Sequence, residues 1–77
     1  MNTPDDRPTV LLVDDDSTFC HVLAEAFEKR GYAVRVAHNV AEGLERVSEE
    51  SPEYAVVDLK MPGASGLELV RRLHEHD

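Results

Sequence analysis

Two apolar runs, each ending in carboxylate residues, constrain this chain more than anything else in it. Val10-Leu11-Leu12-Val13 leads into Asp14-Asp15-Asp16, and Ala55-Val56-Val57 leads into Asp58. Short, continuous aliphatic runs of this kind read as strands buried on both faces, as in a parallel sheet. The C-terminal ends of parallel strands point the same way. If the two strands are neighbours, Asp14, Asp15 and Asp58 converge at one edge, where open α/β sheets bind ligands. Carboxylates gathered so closely repel one another unless a cation sits among them.

The rest of the chain alternates between helix and strand patterns. After a first strand over Thr9–Val13, Asp16 or Ser17 caps a helix that runs to about Arg30. Phe19, Val22, Leu23, Ala26 and Phe27 are expected on its inner face, with Lys29-Arg30 at its negative end and Gly31 as terminator. Ala33–Ala37 reads as an edge strand, because Val34 and Val36 flank the polar Arg35. Asn39 caps a second helix, with Glu42 placed as in a capping box and Val40, Leu44 and Val47 as the apolar stripe. Ser51-Pro52 breaks that helix before a third strand, Tyr54–Val57, apolar on both faces. Residues 59–65 form a loop with Pro62 and Gly63; Gly66 or Leu67 then opens a last helix whose Leu67, Val70 and Leu73 are expected to face inward.

The order βαβαβα predicts an α/β fold with a parallel sheet and right-handed crossovers. Strand starts near residues 9, 33 and 54 give a unit of roughly 23 residues. A flavodoxin-like sheet of order 2-1-3-4-5 would take about 115 residues at this spacing. The 77 residues here therefore read as the first three βα units, with residues 1–8 a loose leader and 9–77 a partial domain. The third strand is expected to have an open edge, which invites pairing with a second copy.

A formal charge of −8 argues against direct binding of nucleic acid or an anionic membrane and in favour of a cation or a basic partner. The single cysteine, Cys20, excludes an internal disulfide. The polar start lacks the features of a secretion signal, and no apolar run is long enough to span a bilayer. A cytoplasmic location is the expectation.

The carboxylates themselves point to phosphate chemistry. Magnesium suits them, since it accepts one or two carboxylates, a backbone carbonyl and waters and leaves room for a phosphoryl oxygen; calcium is the alternative. A carboxylate beside such a cation is also a nucleophile toward phosphorus. Asp58, alone at a strand end before a Pro/Gly loop, fits that role, while Asp14 and Asp15 share a tight turn suited to the metal.

These motifs resemble a known family. Val13-Asp14-Asp15, Val57-Asp58-Leu59-Lys60-Met61-Pro62-Gly63 and Ser65-Gly66-Leu67-Glu68-Leu69 together are similar to the receiver domain of bacterial two-component response regulators. Residues 27–32 and 58–69 look most like the redox- and photosynthesis-controlling regulators of the PrrA/RegA/ActR type. The resemblance implies a CheY-like fold and a phosphoacceptor in gene regulation rather than an enzyme. Asp58 would accept a phosphoryl group from the phosphohistidine of a sensor histidine kinase. Asp15 and Asp58 would ligate magnesium directly, Asp14 mainly through water, and the Lys60 backbone carbonyl would complete the protein ligands. The first helix, with Phe19 and Cys20, would lie on the face that receives the kinase. The family also places a hydroxyl residue after a fourth strand and a lysine after a fifth. Both fall beyond residue 77, so metal binding is expected to outlast efficient phosphotransfer in these 77 residues alone.

Other readings compete. Asp14-x-Asp16-x-Thr18 also resembles the nucleophile motif of haloacid-dehalogenase-type phosphatases, with Asp14 attacking and Asp16 as acid/base, but this leaves Asp58 unexplained. An EF-hand spacing over Asp14, Asp16, Thr18 and Glu25 fails because Phe19 stands where that loop needs glycine. The chain is also readable as a self-associating module that performs no phosphotransfer. Cys20 reads as a small buried hydrophobe. His21, His38, His74 and His76 read as surface residues, Arg71-Arg72 as a solvated helix end, and Glu45, Glu49, Glu50 and Glu53 as solvent-facing charge.

Overall fold

Strand β1 (Thr9–Val13) is the central strand, because its aliphatic side chains have somewhere to go on both sides: Val10, Leu11, Leu12 and Val13 are all buried. The structure is a computed structural model that describes residues 6–58 and 66–75. Around β1 the order is α1 (Ser17–Lys29), β2 (Ala33–Ala37), α2 (Val40–Glu49), β3 (Tyr54–Val57) and α3 (Gly66–Glu75). The described strands form one parallel sheet of order β2-β1-β3. Val13 lies opposite both Ala37 and Val57, and Leu12 opposite both Val36 and Val56. The leader expected over residues 1–8 is described only from Asp6 onward, and the loop over 59–65 lies outside the described residues.

Local chemistry sets the element ends. The Asp16 carboxylate caps α1 by accepting from the Phe19 N–H. The helix closes at Arg30, and Gly31 follows at φ 92°, a conformation glycine adopts without a Cβ penalty. Asn39 caps α2 by accepting from the Glu42 N–H. The Glu42 carboxylate reaches back one residue further than an ordinary capping box and takes the N–H of His38. Thr9 Oγ1 accepts from the Glu53 N–H and so anchors the entry to β3.

Because strand side chains alternate, the sheet has two differently packed faces. Leu11, Val13 and Ala37 join Val40, Val47 and Leu69 in the core on the α2/α3 face. Arg35 sits at the margin of this face, its guanidinium paired with Glu49 and Glu50. The opposite face carries Val10 and Leu12 under α1.

Three packing expectations are corrected. On α1 the inward stripe is Cys20, Leu23, Ala24 and Phe27, whereas Val22 and Ala26 are exposed and Phe19 is 48% exposed. On α3 the buried residue is Leu69, at 0% exposure, with Leu73 partly buried beside it; Leu67 is 62% exposed and Val70 is also exposed. The reason is a recess on α2 at Gly43. A Cβ there would stand 2.7 Å from Leu69 Cδ2, so the missing side chain is what admits Leu69. On β3, Tyr54, Ala55 and Val56 are exposed and only Val57 is half-buried, because β3 is the edge of the described sheet. An apolar run alone cannot tell an edge strand from an internal one.

The α3 packing is testable by thermal or urea unfolding. Leu69→Ala is expected to cost about 2–5 kcal/mol, as for a fully buried leucine, whereas Leu67→Ala stays within about 0.5 kcal/mol of the parent. Equal losses at the two positions would contradict this helix orientation.

Candidate acidic site at the sheet edge

The strand ladder continues past the strands and positions the acids. Asp14 N–H donates to the Ala37 carbonyl at 3.1 Å, and Asp58 N–H donates to the Val13 carbonyl at 2.9 Å. Each bond extends a parallel pairing by one step, so Asp14 and Asp58 leave adjacent strands at the same level. The carboxylates of Asp14, Asp15 and Asp58 each offer an oxygen, and these oxygens lie within 4.8 Å of one another. Asp14 and Asp58 are half-buried and Asp15 is exposed. The convergence expected from the two apolar runs is therefore present. The Lys60 carbonyl, the fourth expected ligand, lies outside the described residues.

The donor set tests which cation would fit. All three groups are hard oxygen donors, which favour magnesium or calcium over softer transition metals. Oxygens facing one another across magnesium stand about 4.2 Å apart, and across calcium about 5 Å apart, from their usual bond lengths. A spread within 4.8 Å is compatible with either ion.

The three aspartates of the first turn are not equivalent. One Asp14 carboxylate oxygen accepts from the Asp16 N–H at 2.9 Å, which ties that side chain to its own turn. The Asp16 carboxylate is the helix cap and stands outside the acidic group. This is the opposite of what a dehalogenase-type acid/base role for Asp16 needs.

Two neighbours were not legible as site residues. The Asp14 carbonyl lies 3.2 Å from His38 Nδ1, and it also accepts from the Cys20 thiol at 3.5 Å. His38 is exposed, as expected of a surface residue, and its ring also contacts the Asp14 carbonyl. Cys20 is buried, as expected of a small hydrophobe, and Phe19 lies on the surface.

Burial pushes the Cys20 thiol up from its ordinary pKa, and Asp14, Asp16 and Asp15 add to the rise. A thiol whose pKa is raised by folding adds stability that is complete below the unfolded pKa and lost as pH rises through the folded one. Cys20 is accordingly a poor nucleophile at neutral pH. Iodoacetamide at pH 8 is expected to alkylate it at least tenfold more slowly in the folded chain than in guanidinium. Equal rates would show that the thiol is open.

Comparison with known proteins agrees with this geometry. Residues 10–77 match the family model described as the response regulator receiver domain. The chain is 45% identical to the photosynthetic apparatus regulatory protein RegA of Rhodobacter capsulatus over 67 residues, covering 87% of this chain and 36% of that protein. It is 42% identical to the acid tolerance regulatory protein ActR of Rhizobium meliloti over 65 residues, covering 84% and 34%. The chain thus spans about a third of the length of these relatives. Among solved structures, a response regulator from Burkholderia pseudomallei, crystallised with a phosphorylated aspartic acid, calcium ion and citrate, superposes with a TM-score of 0.84 at 41% identity, covering 88% of this chain and 40% of that one. A CheY-like receiver domain protein from Methanospirillum hungatei gives 0.86 at 31% identity, covering 91% and 56%. With its β2-β1-β3 parallel sheet, its acids at the strand ends and this match over nearly its whole length, the chain belongs to the response regulator receiver domain family.

Proposed function

We propose that the chain acts as a phosphoacceptor in two-component signalling, with residues 9–77 as part of a receiver domain and Asp58 as the residue that takes the phosphoryl group from a sensor histidine kinase. The observation that carries this reading is the meeting of Asp14, Asp15 and Asp58 at one end of adjacent parallel strands. Of the three, Asp58 suits attack best. It is the carboxylate residue at the end of β3, before the Pro/Gly segment, whereas Asp14 and Asp15 share the turn that follows β1. A carboxylate oxygen of Asp58 attacks phosphorus, the bond from phosphorus to the donor imidazole nitrogen breaks, and its electron pair leaves with the imidazole. The product is an aspartyl phosphate.

Asp14, Asp15, Asp58 and the Lys60 carbonyl are proposed to hold magnesium, which would neutralise charge on the incoming phosphoryl group. The chain's own part is to position the attacking oxygen, and the two ladder bonds at Asp14 and Asp58 support this by holding the backbone that bears the carboxylates. By likeness to the regulators it matches, the protein is proposed to work in the cytoplasm and to relay the kinase signal to gene expression. The 77 residues alone are proposed to be slow in phosphotransfer.

The test is incubation with acetyl phosphate and magnesium followed by intact mass. One phosphoryl adduct is expected, absent in Asp58→Asn and absent after chelation. An adduct that persists in Asp58→Asn but vanishes in Asp14→Asn would move the nucleophile to Asp14 and overturn the reading.

The exposed apolar residues Tyr54 and Val56 on the edge strand favour a second reading, self-association through β3. Sedimentation velocity over a concentration series is expected to show a reversible dimer. A monomer throughout the series removes that reading.

A further inference from the structure

We propose that His38 is a positioning residue for the acidic site, holding the Asp14-Asp15 turn in place through the Asp14 backbone carbonyl. The proposal rests on the phosphoacceptor reading for its purpose, but on separate observations for its geometry. His38 follows the last residue of β2, and its ring lies across the gap to the end of β1, with Nδ1 3.2 Å from the Asp14 oxygen. A carbonyl oxygen only accepts, so Nδ1 carries the proton. The neutral ring is therefore the Nδ1–H tautomer, the one a free histidine side chain disfavours.

Two further contacts show that this placement is built. The His38 backbone is fixed by its own N–H, which donates to the Glu42 carboxylate at 2.8 Å, so the start of α2 holds the residue that bears the ring. The Asp14 peptide units are held on both sides as well. Its N–H donates to the Ala37 carbonyl, and its carbonyl accepts from His38 and from the buried Cys20 thiol. That carbonyl opens the peptide linking Asp14 to Asp15, so fixing it limits where both carboxylates point. Outer partners of this kind commonly change metal affinity by about 10–100-fold when removed.

Asparagine is the informative replacement. Its Nδ2 stands as far along the side chain as histidine Nδ1, so His38→Asn retains a donor, whereas His38→Ala removes it. The experiment uses the 77-residue chain labelled with nitrogen-15, as parent, His38→Ala and His38→Asn, with circular dichroism to confirm folding. Long-range imidazole correlations in the metal-free parent at pH 8 are expected to show the Nδ1–H tautomer. Titration with magnesium chloride, followed by the amide signals of residues 14–16 and 58, is expected to show affinity about tenfold weaker in His38→Ala and within about threefold of the parent in His38→Asn.

A dominant Nε2–H tautomer, parental affinity in His38→Ala, or equal loss in both variants overturns the proposal. If the parent binds no magnesium, the metal reading fails separately and the metal-free spectra decide the matter. Amides 14–16 that shift in His38→Ala and return in His38→Asn sustain the positioning role; amides unmoved by His38→Ala end it. A His38→Ala chain that fails to fold leaves the tautomer and the His38→Asn titration to decide in the same terms.

Discussion

The parallel register of β1 between its two neighbours is the constraint on which everything else depends. Val13 faces Ala37 on one side and Val57 on the other, and the backbone bonds at Asp14 and Asp58 carry that pairing one residue beyond the strands. A slip of a single residue would turn Leu11 and Val13 away from α2 and α3 and would also separate Asp58 from Asp14. Core burial and acid placement are therefore not independent features. The hydrophobic free energy that selects which face of β1 meets Leu69 and Val47 is the same free energy that holds mutually repelling carboxylates together.

Much of this was legible in the sequence because it is local. The strand limits of Thr9–Val13, Ala33–Ala37 and Tyr54–Val57 follow from short aliphatic runs bounded by Asp, Gly and Pro, and the caps at Asp16, Asn39 and Gly31 follow from residue types suited to orphan N–H groups or to positive φ. The approach of Asp58 to Asp14 and Asp15 needed one further step, the adjacency of the first and third strands, which the strand order supplies.

What was not legible depends on contacts between elements. On α3, the spacing 67, 70, 73 and the spacing 69, 73 are both helical stripes, and periodicity does not rank them. The choice is made by the recess at Gly43 on another helix. On α1, the stripe rotates to centre on Cys20, which leaves Phe19 beside Leu23 and Val56 in a narrow crevice on the α1 face. His38 carries no spacing motif. Its contact with Asp14 exists only because β2 and β1 end side by side. The charge readings were coarser still: Arg71 and Arg72 both pair with Glu68 on one helical surface, and these bonds, from Arg71 first, hold the Glu68 carboxyl below its usual range.

The aromatic residues have a consequence for how this protein is watched in solution. Phe27 meets Tyr32 edge-on at 5.3 Å, and Tyr32 meets Tyr54 at 6.0 Å, joining the end of α1 to the first residue of the edge strand. The chain has two tyrosines and no tryptophan, so its near-ultraviolet emission arises from this one cluster at the foot of the sheet. The light therefore reports whether β3 is docked, from the end opposite the carboxylates, and serves as a native gauge of sheet integrity that needs no added label.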